Sequence, residues 1–382
     1  MTLSRYISDL GSQLEGTSVI PVNDEILLDE QSFQRMISVE RKRSERSRKP
    51  FLLMLVDFVS PEGTGWDRTA LDGTVSVLAV TTRETDVKGW YKQGTAMGVI
   101  FTEIGEGDPR TTVSIMLARF SGELARSVAP KQFDRISISF HSFPEDWDGE
   151  LMDRPGSRTL YPDIVKRNDS RKVARVIKRV IDVAGSLVGL FLFAPLFTVI
   201  ILAIKLTSKG PVLFRQTRIG QYGVPFTFIK FRSMQVNNDS AVHQEYVRQL
   251  IAGQAENQAS GESGDVVYKL TGDSRITPVG SLLRRTSLDE LPQLLNVLVG
   301  DMSLVGPRPP IAYEVEAYDV WHRSRLLEAK PGITGLWQVN GRSRVTFDEM
   351  VRLDLRYART WSPWLDIKIL LLTPRAVLDG AY

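Results

Sequence analysis

A long apolar run inside the chain constrains its fold more than any other feature of the sequence. From Val183 to Ile204 the only polar side chains are Ser186 and Thr198. A helix crosses the hydrocarbon core of a bilayer with about 20 residues, which this run supplies. Pro195 lies near its middle, where proline removes a backbone hydrogen bond and bends a helix. The sequence therefore predicts one membrane helix with a break at Pro195.

Basic residues flank the run on both sides. Those that precede it are Lys166, Arg167, Arg171, Lys172, Arg175, Lys178 and Arg179. Such a cluster favours the cytoplasmic side of a membrane. Lys205 and Lys209 follow the run, as expected for a helix that enters, bends and returns to the same face with its lysines reaching the headgroups. On composition alone, an ordinary kinked crossing stays open.

Composition limits the chemistry that the chain can use. The 382 residues include no cysteine, which excludes disulfides, thiolate catalysis and cysteine-based zinc sites. The net charge of +3 is close to balanced, so the distribution of charge is more informative than its total. Residues 1–10 lack the pattern of a cleavable secretory signal, and we expect no export.

The region before the basic cluster alternates helical and strand patterns. We expect helices near 33–44 and 113–127 and strands at 51–57, 75–80, 97–101 and 135–140. This alternation predicts an α/β sandwich. Residues 148–170 are rich in Asp, Arg, Pro and Ser without periodicity and are interpreted as a linker.

This region resembles the GGDEF domain of diguanylate cyclases over residues 28–143. The resemblance depends on Phe33, Glu40, Arg41, Asp57 and the stretches 86–90 and 136–140. The signature turn of that family falls at 93–97, which reads Gln-Gly-Thr-Ala-Met and lacks the acidic pair. Without those carboxylates the turn cannot hold metal and nucleotide in the cyclase manner. The resemblance thus implies a degenerate domain with a regulatory or dimerising role.

Basic loops recur after the apolar run. Two strand-like stretches at 208–220 and 226–234 contain cations, and Arg284, Arg285, Arg308, Arg342 and Arg344 follow. Repeated basic loops suit phosphate, because arginine offers a planar fork of donors and lysine a point charge.

An acidic pair, Asp289 and Glu290, lies among these loops. Thr286 or Ser287 is expected to cap a short helix whose first turn contains both acids. Such acids ordinarily only stabilise a helix start. With arginines on either side, a carboxylate there can also attack phosphorus or bind magnesium.

Four motifs in series identify a resemblance to the bacterial sugar transferases, the monotopic phosphoglycosyl transferases, over about residues 178–378. They are Lys-Phe-Arg-Ser-Met at 230–234, Leu-Arg-Arg-Thr-Ser-Leu-Asp-Glu-Leu-Pro-Gln at 283–293, Val-Gly-Pro-Arg-Pro at 305–309 and Lys-Pro-Gly-Ile-Thr-Gly at 330–335. The resemblance implies a mainly α, monotopic membrane domain with a re-entrant helix-break-helix at Pro195, joined to the α/β GGDEF-like sandwich. The resulting divisions are an extension at 1–27, the GGDEF-like domain at 28–147, the linker at 148–170 and the transferase domain at 171–382, of which 171–209 is the basic and re-entrant part.

The family resemblance also implies a reaction. Asp289 matches the nucleophile that attacks the β-phosphate of a UDP-sugar, after which undecaprenyl phosphate takes the sugar phosphate. Glu290 matches its partner, and both acids match the site of a Mg²⁺ cofactor. The cations expected to bind phosphate are Lys230, Arg232, Arg284, Arg308 and Arg342. Such enzymes initiate exopolysaccharide, capsule, O-antigen or glycoprotein glycan assembly.

Partners and location follow from this resemblance. We expect the chain at the cytoplasmic face of a bacterial inner membrane, with lipid contacts, an open possibility of a homodimer and no nucleic-acid partner. The apolar stretch 361–378 is either an amphipathic interfacial helix or a buried core helix. A second class of function stays open: a nucleotide-sensing regulatory protein for which the apolar run is only an anchor.

Overall fold

The computed structural model describes residues 19–22, 25–58, 68–102, 104, 109–144, 158–235, 241–252, 258–259, 266–267, 275–341 and 345–379. The chain forms two compact units, Met1–Asp169 and Ser170–Tyr382.

The first unit is a six-stranded sheet with helices on its faces. Its strands are β1 (Val19–Val22), β2 (Glu25–Leu28), β3 (Phe51–Phe58), β4 (Val87–Lys92), β5 (Ala96–Phe101) and β6 (Ile136–Phe143). Its helices are α1 (Glu30–Ser47), α2 (Arg68–Thr81), α3 (Pro109–Ser127), α4 (Pro130–Phe133) and α5 (Pro162–Ser170), with a 3-10 turn at Arg158–Leu160. The strand order is β1-β2-β4-β5-β3-β6, antiparallel except for the parallel pair β2 and β4.

The two faces of this sheet are covered by different helices. Alternate residues of a strand point to opposite faces, so Met97 and Val99 of β5 join the core formed with α2 and α3. Gly98 faces the other side, where the ring of Phe33 from α1 lies against it. A Cβ at Gly98 would overlap Cε1 of the Phe33 ring. Glycine at this position therefore lets α1 dock on the sheet.

The predicted α/β arrangement is confirmed, with one wrong element. The strand expected at 75–80 is part of helix α2. Val75, Val77 and Leu78 are all buried, a spacing that serves one face of a helix as well as a short strand. β4, which sequence reasoning did not predict, pairs with β5 across a turn in which Gly94 has φ 73°.

The end of the predicted linker is ordered. Residues 158–170 form the 3-10 turn and α5. Asp163 forms a bidentate ion pair with Arg41 of α1, at 3.0 Å for each nitrogen. Arg41 is buried, and its Nη1 also donates to the Leu160 carbonyl at 3.0 Å. These contacts attach the segment to the first unit, a long-range pairing that composition does not reveal.

The second unit is mainly helical. Its helices are α6 (Lys172–Thr207), α7 (Ala241–Ile251), α8 (Pro278–Arg285), α9 (Gln293–Val299), α10 (Ala312–Glu316), α11 (Val320–Glu328), α12 (Leu336–Asn340), α13 (Phe347–Thr360) and α14 (Pro363–Asp379). Its strands pair as β7 (Leu213–Ile219) with β8 (Pro225–Phe231), β9 (Gln258–Ala259) with β10 (Val266–Val267), and β11 (Ser303–Val305) with β12 (Gly332–Thr334). Short 3-10 turns lie at Gln221–Gly223 and Leu288–Glu290.

Helix α6 contains the apolar run. Among the described residues it is the one helix long and apolar enough to cross a membrane. Only 11% of its most apolar segment is buried. Its 36 residues span about 54 Å, well beyond a hydrocarbon core of about 30 Å. The helix continues through Pro195, so both sides of the predicted break belong to one element. Re-entry to the same membrane face stays a prediction.

Several basic residues at the start of α6 bind protein groups. Lys178 Nζ lies 2.7 Å from Oδ2 of Asp366 in α14. Arg179 donates to the carbonyls of Val297 and Leu298 at 2.6 and 2.7 Å. This part of the cluster, which the sequence predicts on the cytoplasmic side of a membrane, therefore attaches α6 to the rest of its unit.

Helix α14 combines the two alternatives open for the C-terminal stretch. Asp366 and Ile369 are buried, at 2% and 1% exposure. Trp364 and Leu371 are 73% and 75% exposed. One face is thus part of the core, and the other presents an aromatic and apolar surface typical of a membrane interface.

The close contact at Gly98 predicts a stability difference between two glycine substitutions. Gly98→Ala forces a Cβ against Phe33 and is expected to cost about 1–3 kcal/mol of unfolding free energy. Gly122→Ala in α3 meets no atom within 4 Å and should gain about 0.5–1 kcal/mol, because alanine is the better helix former. Chemical denaturation of the full chain in detergent measures both. Equal stability of the two variants would contradict the packing of α1.

Candidate active site

The acidic pair lies in a short turn between two helices. Helix α8 ends at Arg285, and the 3-10 turn Leu288–Glu290 contains both Asp289 and Glu290. Ser287, directly before this turn, has φ 54° and ψ 19°, a left-handed conformation uncommon for a residue other than glycine. Backbone strain of this kind persists where the surrounding structure enforces it, often at functional sites.

Ser287 occupies the cap position of this turn, as predicted, but without a capping hydrogen bond. The Thr286 hydroxyl donates backward to the Leu282 carbonyl at 2.8 Å, at the end of α8. Ser287 makes no side-chain capping bond. Threonine hydroxyls readily bond to the carbonyl four residues earlier, and this alternative takes the place of the cap.

Apolar residues on either side anchor the acidic turn. Leu288 and Leu291 pack in a cluster with Phe231 at the end of β8 and with Ile200 and Ile204 of α6. Helix α6, the β7–β8 hairpin and the acidic turn thus share one hydrophobic contact region. Apolar packing at this site carries Asp289 into a buried position, at 7% exposure.

Burial and nearby charge set the proton affinity of Asp289. Burial raises the pKa of its carboxyl to about 6, and repulsion from Glu290 acts in the same direction. Lys230 and Arg284 lower the pKa of Asp289 but do not cancel the burial effect. With a pKa of about 6, Asp289 is mostly ionised at neutral pH.

Lys230 is the neighbouring group with the opposite shift. Burial lowers the pKa of its ammonium to about 8, and Asp289 partly offsets that effect. Its Nζ lies 5.2 Å from the ring centroid of Phe214, the residue opposite it in the β7–β8 register. An ammonium over an aromatic face gains a cation–π attraction. At neutral pH the site therefore contains a buried carboxylate beside a protonated lysine.

A single asparagine joins helix α9 to the strand that contains Lys230. Asn296 accepts a hydrogen bond from the Ile229 amide at 3.2 Å. Its Nδ2 donates to the Thr227 carbonyl at 2.7 Å. Both ends of this buried amide are paired, so α9 is fixed against β8 directly beside the lysine.

Arg218 is a residue near the site that sequence reasoning did not select. It is 5% exposed, its guanidinium lies 4.3 Å from the Phe228 ring centroid, and Nη1 donates to the Pro309 carbonyl at 2.7 Å. Burial lowers its pKa to about 10, Arg308 adds to the lowering, and Glu290 opposes it. The alternation of side chains along β7 predicts which face of the strand Arg218 lies on. Nothing in the sequence predicts its hydrogen bond to the Pro309 carbonyl.

The loop that contains Arg308 is held through its backbone. Arg325 Nη2 donates to the Arg308 carbonyl at 2.9 Å, and the Gly332 amide donates to the Pro307 carbonyl at 2.8 Å. Arg325 pairs with Asp354 at 2.8 Å, and each side chain is 1% exposed. The Arg308 side chain is exposed. The buried pair therefore supports a backbone that presents Arg308 to solvent.

Arg284 belongs to the charge cluster around Asp289. It lies in the last turn of α8, and its charge lowers the pKa of Asp289. Its Nη1 is buried and has no hydrogen-bond acceptor within the described parts of the chain. An arginine of this kind retains a donor for a ligand.

Arg232 has a different place from the one expected. Its Nη1 donates to the Lys209 carbonyl at 2.7 Å, and its Nη2 to the carbonyl and hydroxyl of Ser208 at 3.0 and 2.7 Å. It thus binds the residues that follow α6, and its predicted role in phosphate binding stays a prediction. Arg342 lies outside the described residues, and its predicted role stays a prediction.

Comparison with protein families gives a match over this unit. The model described as "Bacterial sugar transferase" matches residues 173–380.

Curated relatives match the same region. A "Galactosyl transferase CpsE" of Streptococcus agalactiae is 44% identical over 54% of this chain and 43% of its own length. An "Undecaprenyl-phosphate galactose phosphotransferase" of Salmonella typhimurium is 44% identical over 57% of this chain and 44% of its own length. A "UDP-glucose:undecaprenyl-phosphate glucose-1-phosphate transferase" of Caulobacter vibrioides is 43% identical over 61% of this chain and 84% of its own length. The chain spans less than half of the first two relatives.

Solved structures similar to part of the chain include a "DGC protein" from Thermotoga maritima. It has 18% identity and a TM-score of 0.25, covering 31% of this chain and 84% of its own. The GGDEF domain of DgcB from Caulobacter crescentus has 14% identity and a TM-score of 0.25, covering 30% and 71%. Likeness at this level supports no conclusion about activity.

The pair beneath the Arg308 loop predicts a characteristic double-mutant result. Arg325→Met or Asp354→Leu alone leaves an uncompensated buried charge and is expected to cost about 3–5 kcal/mol of unfolding free energy. The double variant removes both charges and should recover much of that loss. Denaturation of the full chain in detergent measures the cycle.

The exposed pair Arg126–Glu123, with side chains 75% and 41% exposed, is the matched control and should contribute less than about 1 kcal/mol. Additive losses at Arg325 and Asp354 would contradict a coupled buried pair.

Proposed function

Because the chain belongs to the bacterial sugar transferase family, we propose that it transfers a sugar phosphate from a UDP-sugar to undecaprenyl phosphate at Asp289. The observation that carries the proposal is a buried carboxylate, ionised near neutral pH, beside Lys230 and Arg284. The printed names of the relatives supply the substrate classes, a galactose or glucose donor and undecaprenyl phosphate. The product would start glycan assembly on a lipid carrier.

The first step forms a covalent bond to the enzyme. A carboxylate oxygen of Asp289 attacks the β-phosphorus of the UDP-sugar, and the bond between that phosphorus and the bridging oxygen breaks. UMP leaves with the electron pair of the broken bond. The sugar phosphate stays on Asp289 as an acyl phosphate. A pKa of about 6 keeps the attacking carboxylate mostly ionised at neutral pH.

The second step releases the enzyme. A phosphate oxygen of undecaprenyl phosphate attacks the same phosphorus, and the bond to Asp289 breaks. The carboxylate is regenerated, and the product is an undecaprenyl diphosphate sugar. We propose that Glu290, which is adjacent to Asp289 and only partly buried, accepts a proton from a protonated acceptor phosphate.

Fixed cations around the acids suit the charge that moves in both steps. The charges of Lys230 and Arg284 lower the pKa of Asp289, and the charge of Glu290 raises the pKa of Arg218. Arg308 is exposed on a backbone held from below. Cations arranged before the reaction stabilise developing phosphate charge without further reorganisation.

The donor set fits magnesium in its substrate-bound form. No group of three or more acidic or histidine ligands exists among the described residues, so an all-protein metal cage is absent from that part of the chain. Mg²⁺ commonly uses one or two carboxylates together with substrate phosphate oxygens and water. Asp289 and Glu290 would supply those carboxylates. When bound, the ion would neutralise charge on the diphosphate.

We place this reaction at the cytoplasmic membrane face. Helix α6 exposes large apolar side chains, among them Phe191 at 86% and Leu206 at 85%. Its last residues share the cluster of Leu288 and Leu291, which flank the acids. A UDP-sugar donor is cytoplasmic, so we propose that α6 enters the membrane and returns to that face.

Asp289→Asn is predicted to abolish transfer, because an amide cannot act as the nucleophile. The measurement is UMP release from purified protein in detergent with Mg²⁺, undecaprenyl phosphate and a panel of UDP-sugars that includes UDP-galactose and UDP-glucose. We expect a loss of at least about 10³-fold with an unchanged melting temperature. Asp134→Asn, at an exposed turn of the first unit, should keep full activity.

Full activity of Asp289→Asn would remove it as the nucleophile. A wild-type protein that releases no UMP with any donor would instead favour the sensory alternative.

Membrane topology can be tested because the chain has no cysteine. Lys172→Cys and Lys209→Cys introduce single thiols at exposed positions on either side of the apolar run. Re-entry predicts that a membrane-impermeant maleimide labels neither thiol in intact spheroplasts and both in inverted vesicles. Labelling of Lys209→Cys alone in spheroplasts would show a simple crossing.

A further inference from the structure

Gln293 is a buried residue close to the acidic turn with an unused hydrogen-bond donor. It is the first residue of α9 and follows Asp289 by about one helical turn in the chain. Its exposure is 2%, and its Nε2 has no hydrogen-bond partner in the parts of the chain that the structure describes. Buried amide donors are nearly always paired, since an unpaired one forfeits its bonds to water. An exception beside a reactive carboxylate requires a reason.

The position of Gln293 relative to the site follows from its neighbour on the same helix. Residues three apart lie on one face of a helix, so Gln293 lies on the face of α9 that contains Asn296. Asn296 binds Thr227 and Ile229 of β8, and Lys230 is the next residue of that strand. Along the chain, Gln293 thus lies between Asp289 and the residue that attaches α9 to β8 beside Lys230.

A second donor near the acidic turn, on Arg284, is also buried and unpaired. Arg284 Nη1 has no acceptor within the described residues, although its charge acts on Asp289. Two buried donors near the acidic turn in the chain thus have no acceptor among the described residues. A phosphoryl group has several non-bridging oxygens and supplies such acceptors.

We infer that the Gln293 side-chain amide donates a hydrogen bond from Nε2 to a non-bridging phosphoryl oxygen of the bound substrate. This rests on the proposed function and adds a substrate-binding residue to it. Gln293 orients the phosphorus toward Asp289, and Asn296 sets the position of the helix from which it acts. The two amides of α9 thereby have separate tasks, one for the ligand and one for the fold.

The separation gives a test that a purely structural glutamine would fail. Gln293→Met keeps a similar volume and removes an unpaired polar group, so the melting temperature of the full chain in detergent should stay equal or rise. The kcat/KM for UMP release should fall about 10- to 100-fold, the equivalent of one hydrogen bond to a charged group. Asn296→Leu is the matched control, and it should lower the melting temperature because two backbone groups of β8 lose their partner.

Two kinetic arms identify the phosphate concerned. Single-turnover UMP release without acceptor reports on the diphosphate of the donor. Steady-state turnover with varied undecaprenyl phosphate reports on the lipid phosphate. A loss in either arm with retained stability supports the inference and names its ligand. Unchanged kinetics overturn it, as does a loss of activity that parallels a loss of melting temperature.

A binding measurement separates this inference from the proposed reaction. UDP-glucose and UDP-galactose with Mg²⁺ are added to wild type and Gln293→Met, and the ligand-induced rise in melting temperature is compared. A smaller rise in the variant supports the contact even if wild type releases no UMP, an outcome that rejects transfer alone. Equal rises in the two proteins overturn the contact.

Discussion

The attachment of helix α6 to its unit is the constraint on which the site depends. Near its start, Asp182 accepts hydrogen bonds from the Ser303 hydroxyl and the Leu304 amide, both at 2.9 Å. Those residues form β11, which leads directly into the Arg308 loop. Near its end, Ile200 and Ile204 pack with the leucines beside Asp289. One long apolar helix therefore fixes two separate parts of the phosphate-suited surface, and displacing it would separate them.

Burial at this contact region also sets the chemistry. Removing charged groups from water disfavours their charged forms, so the pKa of Asp289 rises and that of Lys230 falls. The two pKa values approach neutrality from opposite sides, yet mutual attraction keeps both groups charged between them. A carboxylate in this state is less solvated than one on the surface and is closer to the condition needed for attack on phosphorus. The same packing that anchors the turn thus favours the nucleophilic role proposed for Asp289.

Local sequence predicted elements better than long-range contacts. Short motifs identify the apolar run, the acidic turn and Lys230, because residues adjacent in the chain form the pattern that characterises each of them. Val75–Val80 was assigned wrongly, since a short apolar run satisfies a buried helix face as well as a strand. Arg232 was grouped with Lys230 by proximity, yet β8 ends at Phe231 and the guanidinium binds the end of α6. No local pattern encodes which distant carbonyl an arginine will meet.

The hydrogen bonds of the cations separate those that hold this unit together from those that remain for a ligand. Arg218, Arg232 and Arg325 each donate to backbone carbonyls that hold a loop or a helix end. Lys230, Arg284 and Arg308 make no such bonds to backbone carbonyls among the described residues. Residues of the same type therefore differ in role according to the acceptors of their hydrogen bonds. The cations without such bonds are the ones whose charge remains available to the phosphate oxygens of the proposed substrates.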